Sequence, residues 1–314
     1  MTLLKRVLNT LLISNNSIDT NSKKNPQIIY LSEKITGKKD KKAIRKIAQT
    51  ISDGKLVVID FGATYGTAFK ADIVTRREVA IKRNETKPFA TVSLVSTLQY
   101  ISTLIDRSKL HPVIVAMNLK GLNSAFENIA FIRFPITPEA SEKLGSDFVN
   151  KDGEVQVFLV PQNEPLLKEL RNRHRIYYYA VRSSNTAGEP ENPDFSGALV
   201  YAQKIDSSML VVGSREGSQK EQIRKSSQPI VCLPLNIVED GAKIRIPIFK
   251  ITRAGNTHPK LLERWIKHNF PSVHVVYEEE KIVSQNITDR RKLFTSDVPS
   301  EQLGEIFLRA SNLI

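Results

Sequence analysis

Tyr177-Tyr178-Tyr179-Ala180-Val181-Arg182-Ser183-Ser184-Asn185-Thr186-Ala187-Gly188-Glu189-Pro190 is the stretch whose reading decides the fold. Its apolar, aromatic-rich first half predicts a strand over residues 177–182. Small hydroxyl, amide and glycine residues follow, where backbone amides and short side chains can approach a ligand closely. Ser183 and Asn185 would share a direction if the chain stays extended, because side chains alternate along a strand. A strand that simply ends in an Asn-initiated turn has the same composition. The three tyrosines can stack bases, but alternation in a strand favours packing on its two faces.

Outward from this run the chain alternates between apolar β-type segments and helical periodicity. Strands are predicted at 28–31, 56–59, 89–94, 113–117, 129–133, 155–160 and 209–212. Helices are predicted near 98–105, 138–144, 164–173 and 198–204. Ala43, Ile44, Ile47, Ala48 and Ile51 recur at helical spacing, and Asp53-Gly54 stops that helix. Such alternation predicts an α/β fold with a twisted mixed β-sheet flanked by helices. After Gly255 come a helix (259–269, with Trp265), a strand (273–277) and a final helix (300–312). This reads as a small α/β C-terminal extension. The expected organisation is an N-terminal extension with a basic linker (1–39), a main domain (40–255) and the C-terminal extension (256–314).

A chain of 314 residues can bury a stable core without crosslinks, and its one cysteine, Cys232, cannot form an internal disulfide. The formal charge of +13 would draw polyanions such as RNA. Basic residues concentrate between Lys23 and Lys46. No apolar run approaches the roughly 20 residues needed to span a bilayer, so no membrane association is expected. The acid-free start, residues 1–14, reads as a packed helix or as an organelle presequence. The expected compartment is the cytoplasm, with mitochondrion or plastid as the alternative. Five scattered histidines (His111, His174, His258, His268 and His274) make no metal-ligand pair, so no metal-binding residues are assigned.

Three further motifs bear on function. Val57 to Gly66 runs from a buried strand into a glycine-flanked turn that matches neither a dinucleotide-binding nor a P-loop fingerprint. Ile81-Lys82-Arg83-Asn84-Glu85-Thr86-Lys87 places three cations where they could neutralise phosphates or be solvated. Arg133-Phe134-Pro135 and Arg253-Ala254-Gly255 add two basic signatures. Together with Tyr65-Gly66 and Ser183-Ser184-Asn185, these resemble the YrdC-like family, the L-threonylcarbamoyladenylate synthases, over roughly residues 40–255.

The resemblance implies a YrdC-like sheet and synthesis of threonylcarbamoyl-AMP from threonine, bicarbonate and ATP, with magnesium, for tRNA modification. It implies catalytic roles for Arg83, Lys82, Ser183 and Asn185. It also implies ATP or threonine binding by Tyr65, Gly66, Lys87, Arg133 and Arg253. The chain departs from the pattern where the family's Pro-Thr-acid turn reads Asp60-Phe61-Gly62, and where Ile81 takes the expected lysine position. A catalytically inactive module that binds tRNA, double-stranded RNA or nucleotide is therefore the competing expectation. A third is a subunit that docks a protein partner through the Trp265 helix and C-terminal extension.

Overall fold

The computed structural model describes residues 25–32, 35, 37–61, 64–85, 92–117, 119–185, 194–214, 229–236, 238–239, 242–243, 247–253, 255, 257 and 259–277. Among the sequence expectations, the leading segment, Lys87, Gly188, Pro190 and the final helix lie outside these residues.

The first elements are β1 (Gln27–Leu31), α1 (Lys38–Ser52), β2 (Val57–Asp60), β3 (Tyr65–Lys70), α2 (Ile73–Lys82) and β4 (Ser93–Ser96). They are followed by α3 (Leu98–Ile101), α4 (Pro112–Ala116), α5 (Leu119–Phe126), β5 (Phe131–Pro135), α6 (Pro138–Leu144), β6 (Glu154–Leu159) and α7 (Pro165–His174). The chain continues through β7 (Tyr178–Ser183), α8 (Phe195–Ile205), β8 (Leu210–Ser214) and β9 (Ile230–Cys232). A short hairpin of β10 (Val238–Glu239) and β11 (Ala242–Lys243) precedes β12 (Ile248–Arg253), α9 (Pro259–Asn269) and β13 (His274–Tyr277).

Eleven strands form one mixed sheet in the order β1-β8-β2-β3-β7-β4-β6-β5-β9-β12-β13. Strand β1 pairs in parallel with β8 at one edge, and β13 pairs in parallel with β12 at the other. Two apolar layers cover the sheet. On one face, Ile44, Ile47 and Ile51 of α1 and Leu166, Leu167 and Leu170 of α7 pack on Val57, Ala68, Tyr179 and Phe158. On the other, α2, α5, α6, α8 and α9 cover Tyr65, Phe69, Leu94, Ile132 and Val157. Burying each such aliphatic side chain stabilises by about 1.5–3 kcal/mol. Helix α1 ends as its sequence implies: the Asp53 amide donates to the Gln49 carbonyl and Gly54 takes φ +73°.

One predicted strand is wrong. The apolar run 113–117 is the short helix α4, because Pro112 sits in its first turn and the His111 ring accepts from the Val113 amide. Both are helix-start devices that outweigh the β-branched composition. Trp265 of α9 is buried, and its indole Nε1 donates to the Ala125 carbonyl at 2.7 Å.

Candidate functional site

The end of β7 carries polar groups on both faces of the sheet, and they do different work. Alternation along β7 places Ala180, Arg182 and Ser184 on the α8 side, while Tyr179, Val181 and Ser183 face α1 and α7.

On the α8 side, four charged residues form a buried cluster. Arg76 donates to Glu85 Oε2 at 2.7 Å, and Arg83 and Arg182 reach Glu85 Oε1 at 3.0 and 3.2 Å. Arg83 also donates to the main-chain carbonyl of Ser183 and, at 3.4 Å, to the Tyr201 hydroxyl. Thr67 links the cluster to the sheet through Tyr201 Oη and Ser184 Oγ, each at 3.2 Å. Burial alone would raise the Glu85 pKa, yet Arg182, Arg76 and Arg83 together hold its carboxyl below the usual range. Desolvation lowers the pKa of Arg182, with Glu85 opposing. The cluster fixes the strand end from behind.

On the opposite face, strand register aligns Ser93, Gln156, Arg133, Cys232 and Lys250 in one row across β4, β6, β5, β9 and β12. Gln156 Nε2 donates to Ser93 Oγ at 2.6 Å, and Arg133 reaches Gln156 Oε1 at 3.4 Å and Cys232 Sγ at 3.9 Å. Helices α1 and α7 cover the apolar part of this face, while Arg133 is half-buried and Lys250 exposed. Glu154, two residues before Gln156, points to the same side. Burial raises its pKa, against the Asn150 amide and the Arg133 charge. A half-exposed guanidinium held by a side-chain amide, with a lysine two strands away, can receive carboxylate or phosphate oxygens.

The residues expected from sequence fall into separate groups. Ser183, Gly66 and Arg133 share the α1/α7 side, and Gly66 pairs directly with Ser183. Arg83 meets Ser183 only through the main chain. Tyr65 lies in the opposite core, its ring tilted against Phe195 at 6.2 Å. Asn185 is buried just past β7, and Arg253 ends β12 beyond a register shift. Lys82 bonds Asp206 at 2.5 Å and Glu78 at 2.6 Å. Burial disfavours its charge, but the two carboxylates outweigh that and raise its pKa. Ile81, at the family's lysine position, is 71% exposed.

Sequence reading missed Glu85, Arg76, Gln156, Ser93 and Lys250. Strand register aligns Ser93, Gln156 and Lys250, and the packing of α2 on the end of β7 gathers Arg76 and Glu85; no local motif encodes either.

No family model and no curated protein matches the chain. Among solved structures it is similar to Sua5 of P. abyssi complexed with L-threonine, at 17% identity and TM-score 0.53, covering 79% of this chain and 62% of that one. It is also similar to a hypothetical protein from Streptococcus mutans UA159, at 14% identity and TM-score 0.55, covering 81% and 99%. A third similar structure is E. coli YciO, at 14% identity and TM-score 0.52, covering 75% and 98%. The chain thus spans under two thirds of the Sua5 structure. These likenesses show the fold: a mixed sheet flanked by helices, of the YrdC-like kind that the motifs implied. Among the described residues no helix is long and apolar enough to cross a membrane.

Proposed function

We propose that the chain binds ATP and threonine on the α1/α7 side of the sheet and makes threonylcarbamoyl-AMP from threonine, bicarbonate and ATP, for tRNA modification in the cytoplasm. The observation that carries this reading is the registered Ser93-Gln156-Arg133 row beside Gly66 and Ser183. It sets an oriented guanidinium on the same face of the sheet as a strand end where a glycine, with no side chain of its own, pairs with Ser183. The motif resemblance and the threonine bound by the Sua5 of P. abyssi support threonine as the amino acid. Catalysis of this kind needs alignment of three reactants and charge stabilisation more than a strong base. Arg133 would hold an anionic group, Ser183 and Asn185 would orient the substrate, and Arg83 would fix the strand from behind. Magnesium enters as the phosphate-bound ion, which needs few protein ligands.

A second reading, a nucleotide- or RNA-binding module without turnover, is favoured by Lys82 and Phe61. The first is committed to Asp206 and Glu78, and the ring of the second packs on Gly66.

Threonine-dependent pyrophosphate release, measured together with the adenylate by mass spectrometry, separates the two. Product that falls at least tenfold in Arg133→Ala and Asn185→Ala supports the enzyme. Nucleotide binding without product supports the module.

A further inference from the structure

We propose that α1, α7 and the Tyr100-Tyr177 pair form a docking surface for single-stranded nucleic acid, separate from the chemistry proposed above. Helix α1 buries Ala43, Ile44, Ile47, Ala48 and Ile51 and turns Lys38, Lys39, Lys41, Lys42, Arg45 and Lys46 to solvent. Helix α7 lies alongside. Glu169 joins the two, forming ion pairs with Arg45 at 3.7 Å and with Arg173 on its own helix. Exposed Lys168 and Arg175 extend the same charge along α7 and past its end. The other acids on or capping these helices are turned inward or to an end: Asp40 is buried against Ser32, Asp53 caps α1, and Glu164 caps α7 by accepting from the Leu166 and Leu167 amides. A 15-residue helix is about 22 Å long, so the ridge can follow the backbone of several nucleotides.

Charge alone would suit any polyanion; the aromatic end narrows it. Arg171 of α7 lies over the Tyr100 ring at 5.7 Å, and Tyr100 packs on Tyr177 with centroids 4.7 Å apart. Tyr179 is in the core, whereas Tyr177 is 43% exposed. Tyr177, which precedes the first residue of β7, is therefore the exposed tyrosine of the triplet, held at the rim of the basic ridge and backed by a second ring and a guanidinium. An exposed π-face offers a stacking platform to an unpaired base, which a duplex hides and a lipid headgroup lacks. Phosphates would run along α1 and α7 while a base stacks on Tyr177.

The test uses the full chain and a fluorescein-labelled oligouridylate of about a dozen residues, with anisotropy read across a salt series. Binding should weaken with salt. Lys41→Gln with Lys42→Gln should flatten the log–log slope by about 0.7 per lost phosphate contact. Tyr177→Ala should weaken binding about tenfold, the size of one stacked base, and Tyr177→Phe should restore it. An oligodeoxythymidylate arm tells RNA preference from general single-strand binding. Unchanged affinity in both the tyrosine and lysine variants overturns the surface. So does a duplex that binds as tightly, or binding to phosphatidylserine vesicles without binding to the oligonucleotide. Pyrophosphate release reads independently of all these outcomes.

Discussion

Arg83 donates from Nη1 to the main-chain carbonyl of Ser183, a hundred positions further along the chain. Both residues belong to motifs that point to ligand chemistry, yet what joins them is a clamp on a strand end. The guanidinium is buried and shared with Glu85 and Tyr201. Arg83→Ala should therefore cost about 1.5–3 kcal/mol in urea unfolding, the range for hydrogen bonds to charged groups. It should also loosen Ser183 and weaken threonine binding. A variant as stable as the parent would remove the clamp assignment.

Glu85 gives acid sensitivity of a defined sign. Its folded pKa lies below the ordinary 4.5, so its contribution is present above that value and is lost as pH falls through the folded pKa. The Glu85→Gln variant should be less stable than the parent at neutral pH. Its unfolding free energy should also change less between pH 5 and pH 3. Parallel curves for the two proteins would mean that Arg76, Arg83 and Arg182 do not depress this carboxyl.

Glu154 should behave oppositely. Burial raises its folded pKa above 4.5, so neutral pH withholds stability that returns as pH falls through the folded value towards the unfolded one. Glu154→Gln keeps an oxygen for the Asn150 amide and removes the buried charge. Thermal unfolding should show the variant at least as stable as the parent at pH 7, with that advantage shrinking at pH 4.5. A large loss at neutral pH would mean the carboxylate is stabilised where it sits.

The helices and strands that could be read in advance share regular burial. Helix α1 shows plain helical periodicity and strands β6 and β8 are short runs buried along nearly their whole length, and each falls within a residue or two of its expected place. Helix α2 escaped notice because its pattern is inverted. Arg76 is 1% exposed while Val74 and Ile81 are 74% and 71% exposed, so hydrophobic spacing gives no amphipathic signal. The inversion has a cause: Arg76 is drawn inward by Glu85, which is itself invisible as a site residue until β7 brings Arg182 to it. The polar row was hidden for a related reason. Ser93 and Gln156 lie in strands whose composition is otherwise core-like, and only pairing across β4, β6 and β5 lines them up with Arg133.

Trp265, the only tryptophan, makes the C-terminal part of the sheet measurable. Its indole bonds the Ala125 carbonyl, β13 joins the main sheet through β12, and α9 packs on the core of that sheet. Its emission should be that of a buried indole and should shift with the far-ultraviolet circular dichroism in one unfolding transition. Trp265→Phe should cost about 1–3 kcal/mol for the stranded carbonyl and the lost volume. An earlier fluorescence transition would mean that α9 and β13 unfold as a separate unit.

Phe61 separates the two readings of the site. A Cβ built on Gly66 would lie 2.6 Å from Phe61 Cδ2 and 2.9 Å from Val181 Cγ2, so the ring fills the space that the glycine leaves beside Ser183. The family pattern places a threonine there, which is smaller and carries a hydroxyl. Phe61→Thr removes part of an apolar side chain packed on the α1/α7 core and should cost about 1–2 kcal/mol. It should also open the face beside Gly66 and raise threonine affinity or threonine-dependent pyrophosphate release about tenfold, one hydrogen bond's worth of orientation. A folded variant with unchanged binding and turnover would show that the ring does not obstruct the site, and the binding-only reading would then rest on Lys82 alone.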